Sequence, residues 1–357
     1  FFQNLLIWTS VWVGFDLDSL LGHQQDIGID VLSVLFEYDI EPAFSDEVLK
    51  QAEASPKQID DQEYQQRVDL REHLIFTIDG EDAKDLDDAI SLEYGDGLYR
   101  MGVHIADVSF YVPENSALDL EAYKRSTSTY VVDRVVPMLP FQLSNGLCSL
   151  NPGEDRLCLS CEMDYDDHGN LLDYRIFPSV IHSKARLTYT QVNQVFNDEE
   201  TSLDSVISEK LLQMRGLAEI LRSRKESLGM LDFETSESKF ILDQAGHVLD
   251  IHRIEHGEAE EMIEDFMVSA NETVAAYSKY RSLPILYRVH EKPTKEKMQT
   301  FSHLARTLGY RMKGNMDEVR PKQVQKVLTH FRYENTYPII SKILLRSMSK
   351  ARYDTQC

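Results

Sequence analysis

The chain has little positive charge for its length. Its 357 residues carry 37 Lys and Arg against 60 Asp and Glu, a formal charge of −23. That balance argues against a protein that coats nucleic acid through a generally basic surface. It leaves room for a nuclease with an acidic, cation-requiring site and a local basic path. Cysteine is also scarce, with four in all, so a disulfide scaffold is excluded at this size. No apolar run is long enough to span a bilayer. The longest, at the start, covers about fourteen residues and is interrupted by Gln3 and Asn4. That start also lacks the basic residues and small-residue cleavage site of a signal peptide. Internal repeats and low-complexity tracts are missing too. What remains is a soluble globular class, 42% hydrophobic and 27% charged, with ample length for a large core.

Cys158 and Cys161 form a C-x-x-C, and Cys148 or His168 can be invoked as further zinc ligands. The stretch 156–163 reads as a buried strand and no second C-x-x-C exists, so small buried hydrophobes are the expected role. Few cysteines and no secretion signal suggest a reducing cytoplasm.

The most informative stretch is TIDGEDAKDLDDAI, residues 77–90. It holds Asp79, Asp82, Asp85, Asp87 and Asp88. Apolar Leu74, Ile75 and Phe76 lead in, and Ala89 and Ile90 follow, so the frame reads as strand, acidic turn and return strand. Most acidic runs are solvated loops. This one sits between core-bound segments, where five carboxylates repel unless cations enter. Oxygen-only ligands suit magnesium or manganese. An EF-hand does not fit, because the mid-loop glycine and the closing glutamate are missing. Asp85 and Asp87 alternate with Leu86, which points both the same way in an extended chain.

Elsewhere, periodicity predicts helices over 29–38, 46–54 capped by Ser45, 117–125, 190–197, 206–228, 261–280, 294–308, 321–330 and 337–348. Residues 56–69 read as a polar connector. Strands are expected over 74–78, 89–94, 98–105, 127–132, 158–165, 171–180, 240–242, 248–254 and 286–289, with 108–112 continuing the strand before it. On the helix 261–280 the apolar stripe is Ile263, Phe266, Met267, Ala270, Val274 and Tyr277. His104, on a strand, is expected to be a satisfied structural histidine.

The spacing of Asp79, Asp85, Asp87 and Asp88 resembles the four catalytic-site aspartates of the ribonuclease II / ribonuclease R family. HIADVS (104–109) and VVPMLPFQLSNGLCSLNP (135–152) are similar to that family as well, and to its ribonuclease R branch above all. The resemblance covers roughly residues 22–354. It implies an α+β fold of the RNB type, a mixed sheet surrounded by helices. Residues 1–22 are then a divergent or truncated end, 23–66 a link with short helices, and 67–357 the catalytic domain.

The implied activity is hydrolytic 3′-to-5′ degradation of single-stranded RNA with a free 3′ end. It is processive, releases nucleoside 5′-monophosphates, and needs Mg2+ or Mn2+. Asp79, Asp85, Asp87 and Asp88 are the implied metal ligands and catalytic set, with Asp87 most directly tied to catalysis. Asp82 falls outside the four and is expected to face solvent or to support them. Tyr130, Phe233 and Tyr189 match aromatics along the RNA path, and Glu264 matches a glutamate near the 3′-terminal nucleotide. Read alone, such aromatics are more often core residues, and Glu264 sits among acidic neighbours on a solvated helix face. A monomer, no membrane association and a cytoplasmic location are expected.

In the family an S-P-I-R-R-Y motif follows, whose arginine contacts the phosphate, and then an RNA-binding barrel. The chain stops at Cys357 before these, so the resemblance implies a catalytic domain incomplete at its C-terminus. Two alternatives stay open: an inactive fragment that binds RNA or metal, and an acidic interaction protein.

Overall fold

The computed structural model describes residues 28–132, 134–231, 233, 237–243, 247–254, 256–314 and 319–357. The end at 1–22 and the turn expected at 244–246 lie outside these.

The chain enters through three short helices: α1 (Ile29–Glu37), α2 (Asp46–Ala54) and α3 (Asp61–Gln66). Ser45 caps α2 by accepting from the Val48 amide. The expected polar connector thus contains a helix, α3, because the Asp60 carboxylate accepts from the Glu63 amide at 2.9 Å and starts a turn.

The strands β1 (Val68–Asp69), β2 (Phe76–Asp79), β3 (Asp88–Gly95), β4 (Leu98–Ala106), β7 (Asp155–Asp166), β8 (Leu171–His182) and β9 (Ala185–Thr188) make one seven-stranded sheet. Its order is β1-β8-β7-β4-β3-β2-β9. The two outer pairs, β1–β8 and β2–β9, are parallel, and the rest are antiparallel. Two further strands, β5 (Thr129–Val131) and β6 (Arg134–Val136), form a separate hairpin.

Strand alternation gives the sheet two buried faces. Phe76, Ile78, Ile90, Leu92, Met101, Val103 and Met163 pack against α6 (Tyr189–Phe196), α7 (Ser205–Leu228) and α8 (Glu258–Tyr280). Ile75, Ala89, Ala106, Cys158 and Ile181 pack on the other side against α2, α5 (Ala117–Arg125) and a π-helical turn at Gln142–Leu147.

The C-x-x-C is resolved by this geometry. Cys158 belongs to one face's core and Cys161 to the other, because an odd spacing on a strand points side chains apart. Both thiols are buried and free. Burial pushes Cys161 up to about 11 and raises Cys158 further, which disfavours the thiolate a metal needs.

The extension expected over 108–112 is instead a helical turn, α4 (Val108–Tyr111). The Asp107 amide takes Leu157 O, and Ser109 Oγ donates to the Asp107 carboxylate at 2.7 Å. Such local bonds compete with a strand ladder.

On α8 the stripe holds, with Ile263, Phe266 and Ala270 buried and Met267 and Val274 packed partly buried beside them, but the buried face also includes Asp265, Ser269 and Thr273. Asp265 is 3% exposed and bonded to Arg222 and Lys225 of α7.

A third cluster is made by α9 (Lys295–Thr307), α10 (Pro321–Phe331) and α11 (Tyr337–Ser347). Two peripheral hairpins, β10–β11 (Glu237–Leu242, Val248–Ile254) and β12–β13 (Tyr287–His290, Ala351–Asp354), complete the described chain. Among the described residues no helix is long and apolar enough to cross a membrane.

Candidate active site

Asp79 ends β2 and Asp88 begins β3, its antiparallel neighbour. The acidic turn between them therefore lies at one end of the sheet. β9 runs parallel to β2, with Asp79 opposite Thr188, so β9 delivers its own C-terminal end to the same place. There Thr188 and Gln191 form a capping box that starts α6 and leaves Tyr189 as its first residue.

The turn is tied down from both sides. Leu86, 1% exposed, plugs the core between Asp85 and Asp87. Buried Ser149 accepts from the Leu86 amide at 3.1 Å and donates to Lys84 O at 2.9 Å. The Leu150 amide donates to Leu86 O at 2.8 Å, and the Ala106 amide to Asp87 O at 3.0 Å. From β9, Arg186 Nη2 donates to Ala83 O at 2.7 Å, Glu81 O at 2.9 Å and Gly80 O at 3.4 Å. The Thr190 hydroxyl donates to the Glu81 carboxylate. Nothing in local periodicity marks Ser149 or Arg186, since both act across more than sixty residues of sequence.

The carboxyls are electrostatically tense. Desolvation, then the charges of Asp88, Asp87 and Asp85, push Asp79 up to about 7, against a lowering pull from Arg186. Asp87 reaches solvent, yet the protein crowds it. That desolvation, with Asp85 and Asp88 beside it, pushes it up to about 6. Water access screens this shift more than that of Asp79. Burial also raises Asp88.

Asp79 Oδ2 is buried without a hydrogen-bond partner. An orphaned carboxylate oxygen among like charges is costly, and a hard divalent cation would both pair it and relieve the repulsion. The donor set therefore fits such an ion. Among the described residues no three His, Cys, Asp or Glu side chains converge at ligating distance.

The expected aromatics divide. Tyr130, on β5, is 65% exposed and its phenol donates to Asp85 Oδ2 at 2.7 Å. That bond and partial desolvation push its hydroxyl up to about 12. Tyr189 is half-buried, and desolvation followed by the charges of Asp79 and Asp88 pushes it up to about 12 as well. Both stand beside the aspartates. Phe233 packs, partly buried, against the α9–α11 cluster. Glu264 is exposed on α8, one turn beyond Glu260, whose charge is felt at Tyr189.

His104 is closed off in the sheet. Its Nδ1 lies 2.7 Å from Ser160 Oγ and its Nε2 3.0 Å from Ser91 Oγ. Burial pushes its pKa down to about 3. Gly102 makes room for the ring, since a Cβ there would sit 2.8 Å from His104 Nε2.

A mixed sheet with an anchored acidic turn at one end, flanked by tyrosines, sets carboxylates where a hard cation could be held. The chain belongs to the RNB-domain family, whose domain matches residues 67–357. It is 44% identical to Ribonuclease R 1 of Lactococcus lactis subsp. lactis over 94% of this chain and 41% of that protein. It is likewise 44% identical to Ribonuclease R of Thermotoga maritima, over 94% of this chain and 48% of the relative. The solved structure of Mycoplasma genitalium RNase R in complex with ribose-methylated single-stranded RNA superposes with a TM-score of 0.91. That match has 32% identity and covers 95% of this chain and 53% of the other. The chain thus spans about half the length of the relatives it matches.

Proposed function

We propose that this chain is the catalytic portion of a 3′-to-5′ exoribonuclease that hydrolyses single-stranded RNA processively, one nucleoside 5′-monophosphate at a time. The observation that carries the reading is the anchored turn itself, with Asp79, Asp85, Asp87 and Asp88 at one sheet end and Asp79 Oδ2 unpaired. The similarity to RNase R, including a relative solved with single-stranded RNA, supports RNA as the partner. The four aspartates would hold Mg2+, or Mn2+. When bound, that ion activates water and stabilises the leaving 3′-oxygen.

The protein's own residues do the rest. Ser149, Leu86 and Arg186 keep the turn rigid. Tyr130 and Tyr189 offer ring faces on which bases stack without regard to sequence, which suits stepwise movement. Phe233 and Glu264 are proposed to reach the 3′-terminal nucleotide. Three buried, free thiols suit a reducing compartment, so we place the protein in the cytoplasm, and as a monomer.

The test is digestion of a 5′-labelled RNA with a 3′ tail by this chain, first with magnesium and then with chelator. Stepwise shortening from the 3′ end that chelator stops is the expected result. Asp87→Asn should lower the rate on the order of a thousandfold while sparing RNA binding, because it removes charge but little volume. Equal rates in mutant and parent would refute the assignment. Binding without cleavage in the parent would favour an RNA-holding domain instead.

A further inference from the structure

We infer that Arg186 is a positioning residue of this site: one guanidinium nitrogen gathers the carbonyls of the acidic turn and so sets Asp79 against Asp85, Asp87 and Asp88 for a divalent cation. The inference rests on the reading of those aspartates as the cation-holding set.

Arg186 lies opposite Thr77 in the β2–β9 ladder, two residues before Asp79. From there its Nη2 reaches across the strand end to Ala83, Glu81 and Gly80 carbonyls at 2.7, 2.9 and 3.4 Å. These belong to one tight turn, closed by the Ala83 amide donating to Gly80 O at 3.2 Å. Converging carbonyl dipoles repel one another, and a shared cationic donor relieves that repulsion with charge-assisted bonds. The turn's two flanks are fixed independently. Asp79 is held by the β2 ladder, and Lys84 and Leu86 are held by Ser149. The middle, 80–83, takes its three carbonyl bonds from Arg186, beside the Thr190 hydroxyl on the Glu81 carboxylate, and its curvature sets how far Asp79 stands from the other three.

Charge and position predict opposite signs. Removing a cation next to acidic ligands, if charge were all that mattered, would tighten divalent-ion binding. Loosening the turn would weaken it. Lysine keeps the charge, but its shorter side chain holds its single nitrogen back from the place where Arg186 Nη2 meets the three carbonyls.

The experiment measures Mn2+ binding to the full 357-residue chain by calorimetry, at matched ionic strength, for the parent, Arg186→Ala and Arg186→Lys. Both substitutions should weaken Mn2+ binding about tenfold, as loss of a group that orients metal ligands does. Melting temperature should be unchanged, and millimolar guanidinium should restore binding in Arg186→Ala, with sodium chloride as the ionic-strength control. Equal or tighter binding by Arg186→Ala would overturn the inference and leave the metal-site reading intact. So would a loss that guanidinium fails to reverse, accompanied by a lower melting temperature, since that marks support of the fold alone. If Arg186→Ala does not fold, Arg186→Lys carries the same comparison. A parent chain that binds no Mn2+ overturns the metal-site reading, and this inference with it.

Discussion

At the scale of single residues, Asp79 concentrates the electrostatic problem of the site. Its Oδ2 is buried and unpaired, and its carboxyl is raised from 3.8 to about 7 by desolvation and by its acidic neighbours. Between about pH 4 and 7 the native state keeps a proton that the unfolded chain has released, so stability falls as pH rises through that window. Above it the penalty is complete. His104 works in the opposite sense. Held at about 3 against 6.5 unfolded, it lets the unfolded state bind more protons below about pH 6.5, so its share of stability is lost as pH falls. The difference between parent and Asp79→Asn isolates the first effect. In the absence of divalent cation, Asp79→Asn should melt higher than the parent at the alkaline side of the window, with the gap closing toward the acidic side. Thermal melts across that range decide it; parallel curves would mean that Asp79 is not strained. Ser149 is the second residue whose role is legible only in space. Ser149→Ala leaves the Leu86 amide and Lys84 carbonyl without their partner, and a cost of about 1–3 kcal/mol is expected in denaturant unfolding.

At the scale of elements, the seam between α7 and α8 is polar where helix periodicity alone suggests an apolar stripe. Asp265 lies there with Arg222 Nε at 2.9 Å and Lys225 Nζ at 3.3 Å. From sequence it reads as one more solvated acid beside Glu260, Glu261 and Glu264, because its partners lie about forty residues away. Breaking such a group strands the remaining charges. Asp265→Ala should destabilise the fold by about 3 kcal/mol, the low end of the usual range because both cations keep some water access. A change near zero would mean that the seam is already hydrated. Phe233 poses an element-level choice. Packed against α9–α11, it should lower stability when replaced by Ala. Stacking at the RNA end would add a loss of about 1–3 kcal/mol in affinity for RNA 3′ ends. Measuring melting and RNA affinity on the same variant separates the two roles.

At the scale of the whole molecule, two large cores share one sheet, while the third, smaller cluster is built from α9–α11. Gln325 of α10 donates to Glu226 O at 2.8 Å and Met230 O at 3.1 Å at the end of α7. A smaller core with polar anchoring opens more easily. Amide exchange in α9–α11 should therefore run faster than in β4 and β7, whose ladders lie in the middle of the sheet. Equal protection would make the described chain a single cooperative unit. The overall charge of −23 bears on partners in the same way. Under the proposed function, an RNA path through so acidic a chain would have to be local.

The sequence by itself determined most of the elements and the acidic turn, though not the short helices α3 and α4. Alternation marked β2, β3 and β4 around it, Ser45 marked the start of α2, and the aspartate spacing with HIADVS marked the family. These signals are local, carried by neighbours a few residues apart. Only the tertiary structure decided which face each cysteine joins, that Asp265 is buried, that Phe233 packs against the α9–α11 cluster, and that Ser149 and Arg186 hold the turn from opposite sides. The two holds on the turn depend on strand order and on parallel pairing of β2 with β9, which bring together residues separated by more than sixty positions, and Asp265 and Phe233 depend on how the helices pack. Side-chain identity fixes what a residue can bond to, and the topology of the sheet fixes which residues it meets.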